Sequence, residues 1–247
     1  MDRWRDKVAV VTGAAGGIGS AVVEQLLKAK LKVAAVDNSS TRLEELTKKF
    51  ENKTEDLHSY ATDITKDEEV IKLYQDITKT LGPVNVLINC AGIARHDTLI
   101  NGKTENWKSV FDTNVFGLCI MTREAVKIMR ENTIDGHIVH ISSIAGRTVL
   151  DIPDTNVYSA SKFAVRALSE SYRQELNRFG LKIKVTCICP GKVNTLIAKN
   201  NAFDESYDEM PGLEPKDIAD SIIYTLSTPP HVQVHEICVK PIGEKWT

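Results

Sequence analysis

The sequence has no surplus of either charge, no long apolar run and no cysteine spacing suited to a metal. Its 31 Lys and Arg nearly balance 33 Asp and Glu, for a formal charge of −2. No basic excess is therefore present to hold nucleic acid or an anionic membrane as a main task. No apolar stretch approaches the roughly 18–20 residues of a membrane span; the longest near the start is Val8-Ala9-Val10-Val11. The charged opening Met1-Asp2-Arg3-Trp4-Arg5-Asp6-Lys7 lacks the apolar core and small-residue cleavage site of a secretory signal. The five cysteines, Cys90, Cys119, Cys187, Cys189 and Cys238, are odd in number and widely spread. They are expected to be reduced, mostly buried thiols, which points to the cytosol. Repeats, low-complexity tracts and Pro/Ser-rich linkers are also missing, so the 247 residues are expected to form one domain. With 42% hydrophobic and 26% charged residues, the composition excludes disordered, collagen-like and coiled-coil chains.

What is present is an alternation of short Val/Ile-rich runs with helix-length amphipathic stretches. Strands are predicted at Lys7–Val11, Lys32–Val36, Leu57–Ala61, Val84–Asn89, His137–Ile141, Ile183–Cys189 and Val232–Val239. Helices are predicted at Gly17–Lys28, Arg42–Phe50, Asp67–Leu81 (capped by Thr65 or Asp67), Asn156–Arg178 and Lys216–Ser227. A further helical region, Thr104–Arg130, is expected to break near Asp112–Asn114. Strands apolar on both faces, joined by helical crossovers, imply an α/β fold: a mainly parallel, seven-stranded, doubly wound Rossmann sheet with helices on both faces.

Between the first strand and the first helix stands Thr12-Gly13-Ala14-Ala15-Gly16-Gly17-Ile18-Gly19. Glycines at this point let backbone amides approach a phosphate, and the helix N-terminus adds unpaired N–H groups and a positive dipole end. The spacing is G-x-x-x-G-x-G, and its place at the start of a βαβ unit favours a dinucleotide over a plain tight turn. Asp37 ends the second strand, 18 residues after Gly19. A carboxylate there accepts hydrogen bonds from an adenosine ribose and repels a 2′-phosphate. No Lys or Arg stands at 14–17 or 37–41 to offset that repulsion. One like-charge contact at about 4 Å costs roughly 4 kcal/mol at an effective dielectric near 20. NAD is therefore expected over NADP.

Further along come Asn89-Cys90-Ala91-Gly92 and Tyr158-Ser159-Ala160-Ser161-Lys162, with Ser143 standing 15 positions before Tyr158. Together with the glycine loop, these motifs make the whole chain resemble the short-chain dehydrogenase/reductase family. Met1-Asp2-Arg3-Trp4 and the strand Gly136–Ile141 resemble its farnesol dehydrogenase-like and dehydrogenase/reductase member 11-like subgroup. The resemblance implies hydride transfer between the cofactor and an alcohol or ketone, with Asn114, Ser143, Tyr158 and Lys162 as the catalytic set. Ser142 is the alternative to Ser143. Tyr158 and Lys162 are four apart and share a helix face. A phenol near pKa 10 must be lowered by about 3 pH units, roughly 4 kcal/mol, to exchange protons at neutral pH. A neighbouring ammonium and an oxidised nicotinamide both act in that direction.

By the same resemblance, Asn114 breaks its helix and holds a water near Lys162. Asp63 and Ile64 meet adenine, Asn89 and Gly92 line the cofactor crevice, and Pro190, Gly191, Val193 and Thr195 form the turn against the nicotinamide. Residues 196–212 would be a substrate lid, and the helices Thr104–Arg130 and Asn156–Arg178 would pack in a homodimer or homotetramer. Small residues Ala160, Ala164, Ala167 and Ser171 permit close helix approach, or equally packing on the sheet. Leu196-Ile197-Ala198 and Ile144, Val149, Leu150 and Ile152 are expected to wall an apolar pocket, with Arg147 and Lys192 nearby. A lipophilic alcohol or ketone substrate follows, an isoprenoid such as farnesol or a steroid. An NADP(H)-dependent carbonyl reductase and a non-catalytic dinucleotide sensor are the alternatives. The six histidines have no zinc-ligand pattern, and the acidic stretch Phe203–Met210 reads as a loop rather than a metal site.

Overall fold

The computed structural model describes residues 1–50, 54–155, 157–195 and 210–244. Seven strands form one sheet: β1 (Val8–Thr12), β2 (Lys32–Asp37), β3 (Leu57–Ala61), β4 (Val84–Asn89), β5 (His137–Ile141), β6 (Lys184–Pro190) and β7 (Glu236–Val239). Their order is β3-β2-β1-β4-β5-β6-β7, and every neighbouring pair is parallel. The crossovers carry α1 (Gly17–Lys28), α2 (Ser40–Phe50), α3 (Asp67–Leu81), α4 (Thr104–Phe111), α5 (Leu118–Glu131), α6 (Tyr158–Arg178) and α7 (Pro215–Ser227).

The period-2 geometry of the strands sorts their side chains into two cores. Ala9, Val11, Val33, Ala35, Val86 and Ile88 join α1 and α7 on one face. Val8, Val10, Ala34, Val36, Val84 and Leu87 join α3 and α5 on the other. Each fully buried aliphatic side chain is worth about 1.5–3 kcal/mol of transfer free energy, so two-sided burial is what holds these runs as parallel strands. The chain starts at β1, builds outward to β3, then returns to β4 on the other side of β1. Strand order reverses there, and a crevice opens beyond the carboxyl ends of β1 and β4.

Several boundaries differ from expectation for local reasons. The last strand is only Glu236–Val239; before it, the Val234 carbonyl accepts from the Thr186 hydroxyl, and the His235 carbonyl accepts from both the Cys187 amide and the Arg173 guanidinium. The N-cap of α3 is Lys66, with no side-chain cap; Thr65 instead donates its hydroxyl to Asp63 at 2.7 Å. Between α4 and α5 the helix loosens into a π-helical segment, Asp112–Gly117, at the expected break. The helix expected from Asn156 starts at Tyr158, and α7 begins on Pro215, a favoured first helical residue.

Candidate active site

The glycine turn is pinned to the end of β4. The Thr12 hydroxyl accepts hydrogen bonds from the Cys90 and Ala91 amides, both at 3.1 Å. Gly13 has φ +61°, and a Cβ there would lie 2.8 Å from the Ala91 Cα, so glycine alone fits. Gly16 is the N-cap of α1 and no side chain caps the helix. Its first amides are thus left for another acceptor. Gly13, Gly16, Gly17, Ile18 and Gly19 form one wall of a cleft of about 420 Å³.

Asp37 lies at the far end of this cleft and is buried. Its Oδ2 accepts from the Ala15 amide at 3.2 Å, and its Oδ1 accepts from the Ser39 amide at 3.1 Å. Arg42 also donates to Oδ1, at 3.0 Å. Arg42 stands one residue beyond the 37–41 stretch that lacks a basic side chain, and the first turn of α2 brings it back onto Asp37. Asp63 and Ile64 line the cleft after β3, with Asp63 also accepting from the Thr65 amide at 3.0 Å. Gly92 lines it as expected, whereas the Asn89 side chain does not. The Asn89 amide donates to the Thr122 hydroxyl at 3.0 Å and lies 3.2 Å from His140 Nδ1, on the buried side of β4. Cys90, Ala91 and Gly92 take its expected place.

The cleft joins a second pocket of about 130 Å³, with Ile18, Cys90, Gly92, Ala94 and Thr195 common to both. Here Ser143, Tyr158 and Lys162 come together, though they lie on β5's exit and α6. The two serines are separated by their partners. Ser142 is buried and donates its hydroxyl to the Lys162 carbonyl at 2.9 Å. Ser143 accepts from the Ala145 amide at 3.1 Å and lines the pocket beside Tyr158. Burial pushes the Tyr158 phenol up to about 12, against the opposing effect of Ser143. Burial also pulls Lys162 down to about 8. Its Nζ donates to the Ile141 carbonyl at 3.0 Å and lies 5.7 Å from the centroid of the Tyr158 ring.

Asn114 sits within the π-helical segment and is buried. Its Oδ1 accepts from the Ile93 amide at 2.8 Å, while Nδ2 donates to the Ile93 carbonyl at 2.9 Å and to Ser161 Oγ at 3.0 Å. The side chain thus clasps the β4 exit to α6. Ser161 was not foreseen in that role; its place one residue before Lys162 was the available signal. Pro190, Gly191, Val193 and Thr195 line the smaller pocket, as do Ile144, Leu150 and Ile152. Val149 is not among its walls and is 75% exposed. Arg147 is drawn away to Glu236, and Lys192 donates its Nζ to the Met210 carbonyl at 2.7 Å. Leu196, Ile197, Ala198 and most of the expected lid lie outside the described residues.

The remaining conspicuous groups are structural. His137 and His140 lie inside β5, and burial lowers both to about 3. Among the described residues, one group could approach a metal: Cys187, Cys189 and Glu236. The two sulfurs are 3.8 Å apart, but Arg166 holds the Glu236 carboxylate at 2.6 Å.

A family model for short chain dehydrogenases matches residues 7–206, and the chain belongs to that family. It is 42% identical over 250 residues to the farnesol dehydrogenase of Aedes aegypti, covering 100% of both chains. The closed form of a serine dehydrogenase complexed with NADP+ is similar at a TM-score of 0.86, with 27% identity, covering 97% of this chain and 96% of that one. A short-chain dehydrogenase/reductase from Burkholderia phymatum in complex with NAD is similar at 0.85, with 25% identity, covering 96% and 90%. Among the described residues, no helix is long and apolar enough to cross a membrane.

Proposed function

We propose that the protein is an oxidoreductase that moves a hydride between NAD(H) and a lipophilic alcohol or ketone. The observation that carries this reading is the meeting of Ser143, Tyr158 and Lys162 in a pocket continuous with the glycine-walled cleft. The cleft fits a dinucleotide: a Cβ at Gly13 would fill the turn, the α1 amides are uncapped, and Asp37 marks the ribose end. When bound, the nicotinamide supplies or accepts the hydride.

The chain's own residues handle the proton and the geometry. Tyr158 Oη takes the proton from an alcohol, or returns it to the oxygen of a ketone. Ser143 hydrogen-bonds the same oxygen and orients it. A phenol held near 12 is almost wholly protonated at neutral pH and cannot take up a proton, so positive charge at this end of the cleft is required to form the phenolate. Lys162 supplies one such charge, and Asn114 fixes the α6 turn that carries it. The Asn114 side-chain amide, bonded to Ile93 and Ser161, supports a clasp, and holding a water near Lys162 is left to the rest of the residue.

Asp37 favours NAD(H), but Arg42 makes this preference smaller than the bare carboxylate implies. The half-exposed guanidinium partly neutralises Asp37 and is able to turn toward a 2′-phosphate. That observation supports NADP(H) as the second cofactor. The chain's similarity to a farnesol dehydrogenase and the apolar walls of Ile144, Leu150 and Ile152 support a lipophilic substrate.

The test is Tyr158→Phe, which keeps the ring packing and removes the proton-transfer group. Turnover, followed by reduced-nicotinamide absorbance, should fall by at least about 10²-fold, while cofactor binding persists. Wild-type turnover in this variant would refute the relay.

A further inference from the structure

We propose that Glu244 is a positioning residue for the turn that carries Gly191, Val193 and Thr195. The inference rests on reading that turn as the one that meets the nicotinamide. After β7 the chain folds back over the carboxyl end of β6, and the Glu244 side chain is only 1% exposed. Carboxylates are seldom buried unless they serve a specific partner. Here Oε2 accepts from the Lys192 amide at 3.2 Å, and Oε1 lies 3.3 Å from Lys240 Nζ. The two packing surfaces are matched, since a Cβ on Gly191 would run into the carboxylate.

The turn is held from behind and from the side. The Gly191 amide donates to the Val239 carbonyl at 2.7 Å, next to the Glu244 contact. Asn194 donates its amide to the Leu213 carbonyl, and Leu213 donates back to Lys192, both at 2.8 Å. The opposite surface of this clasp is the pocket wall formed by Gly191, Val193 and Thr195. An apolar side chain at 244 would fill the space equally well. What the carboxylate adds is a fixed acceptor for the Lys192 amide, and so a fixed path for the turn.

The test compares the reduced dinucleotide that wild type binds more tightly with the same molecule lacking nicotinamide (ADP-ribose, or its 2′-phosphate). Glu244→Ala should weaken the dinucleotide about tenfold, the loss of one charge-assisted hydrogen bond. The nicotinamide-free ligand should stay within about twofold, because its cradle lies elsewhere in the cleft. Glu244→Gln keeps an acceptor oxygen and should restore dinucleotide affinity to within about threefold of wild type. If the alanine variant does not fold, Glu244→Asp, whose carboxylate is withdrawn by one methylene, is read the same way. Unchanged dinucleotide affinity, or equal loss of both ligands, overturns the proposal. A wild-type protein that binds neither dinucleotide overturns the cofactor reading itself, and the proposal with it.

Discussion

Lys162 carries a direct conflict between burial and charge. Its ammonium is enclosed, and burial lowers it from 10.5 to about 8. The unfolded chain therefore binds more protons than the native one between those values, so this group's destabilisation is full below pH 8 and fades as pH rises toward 10.5. Lys162→Met should abolish turnover yet make the cofactor-free protein more stable near neutral pH, by at most about 3 kcal/mol. Denaturant unfolding of both proteins checks this, and the gap should close between about pH 8 and 10.5. A gap that ignores pH would show that the charge is already compensated. At the opposite end of the cleft, Asp37 and Arg42 set cofactor choice as a pair. Asp37→Ala should shift the kcat/KM ratio toward NADP(H) by at least about tenfold. Arg42→Ala should shift it the other way. A wild-type preference for NADP(H) would show that Arg42 outweighs Asp37.

The helices α4, α5 and α6 do more than cover the sheet. The π-helical segment places Asn114 where it bridges Ile93 and Ser161, so a local widening of the helix sets the approach of α6 to the β4 exit. On α6, Ala160, Ala167 and Ser171 are exposed, which removes packing on the sheet as the reason for these three, while Ala164 is half-buried; Phe163 beside them is exposed. Phe116 of the π-helical segment is also exposed, at 58%. A homo-oligomer contact on these helices is a prediction: the small residues would admit close approach and the two phenylalanines would bury area there. Phe163→Glu should lower the mass measured by light scattering after size exclusion and leave the far-ultraviolet spectrum unchanged. An assembly that survives the charge would move the contact elsewhere.

Across the whole molecule, parallel topology brings the ends of β1, β4, β5 and β6 to one side, and the pocket takes its character from there. Arg147 is bound to Glu236, and Lys192, which lines the pocket, spends a donor on the Met210 carbonyl, so among the described residues no pair of arginines stands there as a clamp for a carboxylate or phosphate. Ile144, Leu150 and Ile152 remain as apolar wall, worth about 25 cal/mol per Å² of apolar substrate surface removed from water. Farnesol or a hydroxysteroid should exceed a sugar alcohol and a hydroxy acid in kcat/KM by at least about tenfold. A preference for either polar compound would defeat the lipophilic reading.

The sequence by itself determined the alternation of strands and helices, the glycine turn, the acidic stop at Asp37 and the Tyr158/Lys162 pair. Each is written within a few residues, by a period, a conformational demand or an i,i+4 spacing. Tertiary structure alone decided how the two pocket-lining serines differ: the Ser142 hydroxyl is spent on the Lys162 carbonyl of α6, whereas Ser143 accepts from the nearby Ala145 amide. It also turned Asn89 into the core, returned Arg42 to Asp37 and carried Glu244 to Gly191 and Lys192. Those contacts join segments whose spacing encodes nothing about their meeting. They exist because a parallel sheet gathers the carboxyl ends of distant strands at one edge, where burial then assigns each polar group its partner.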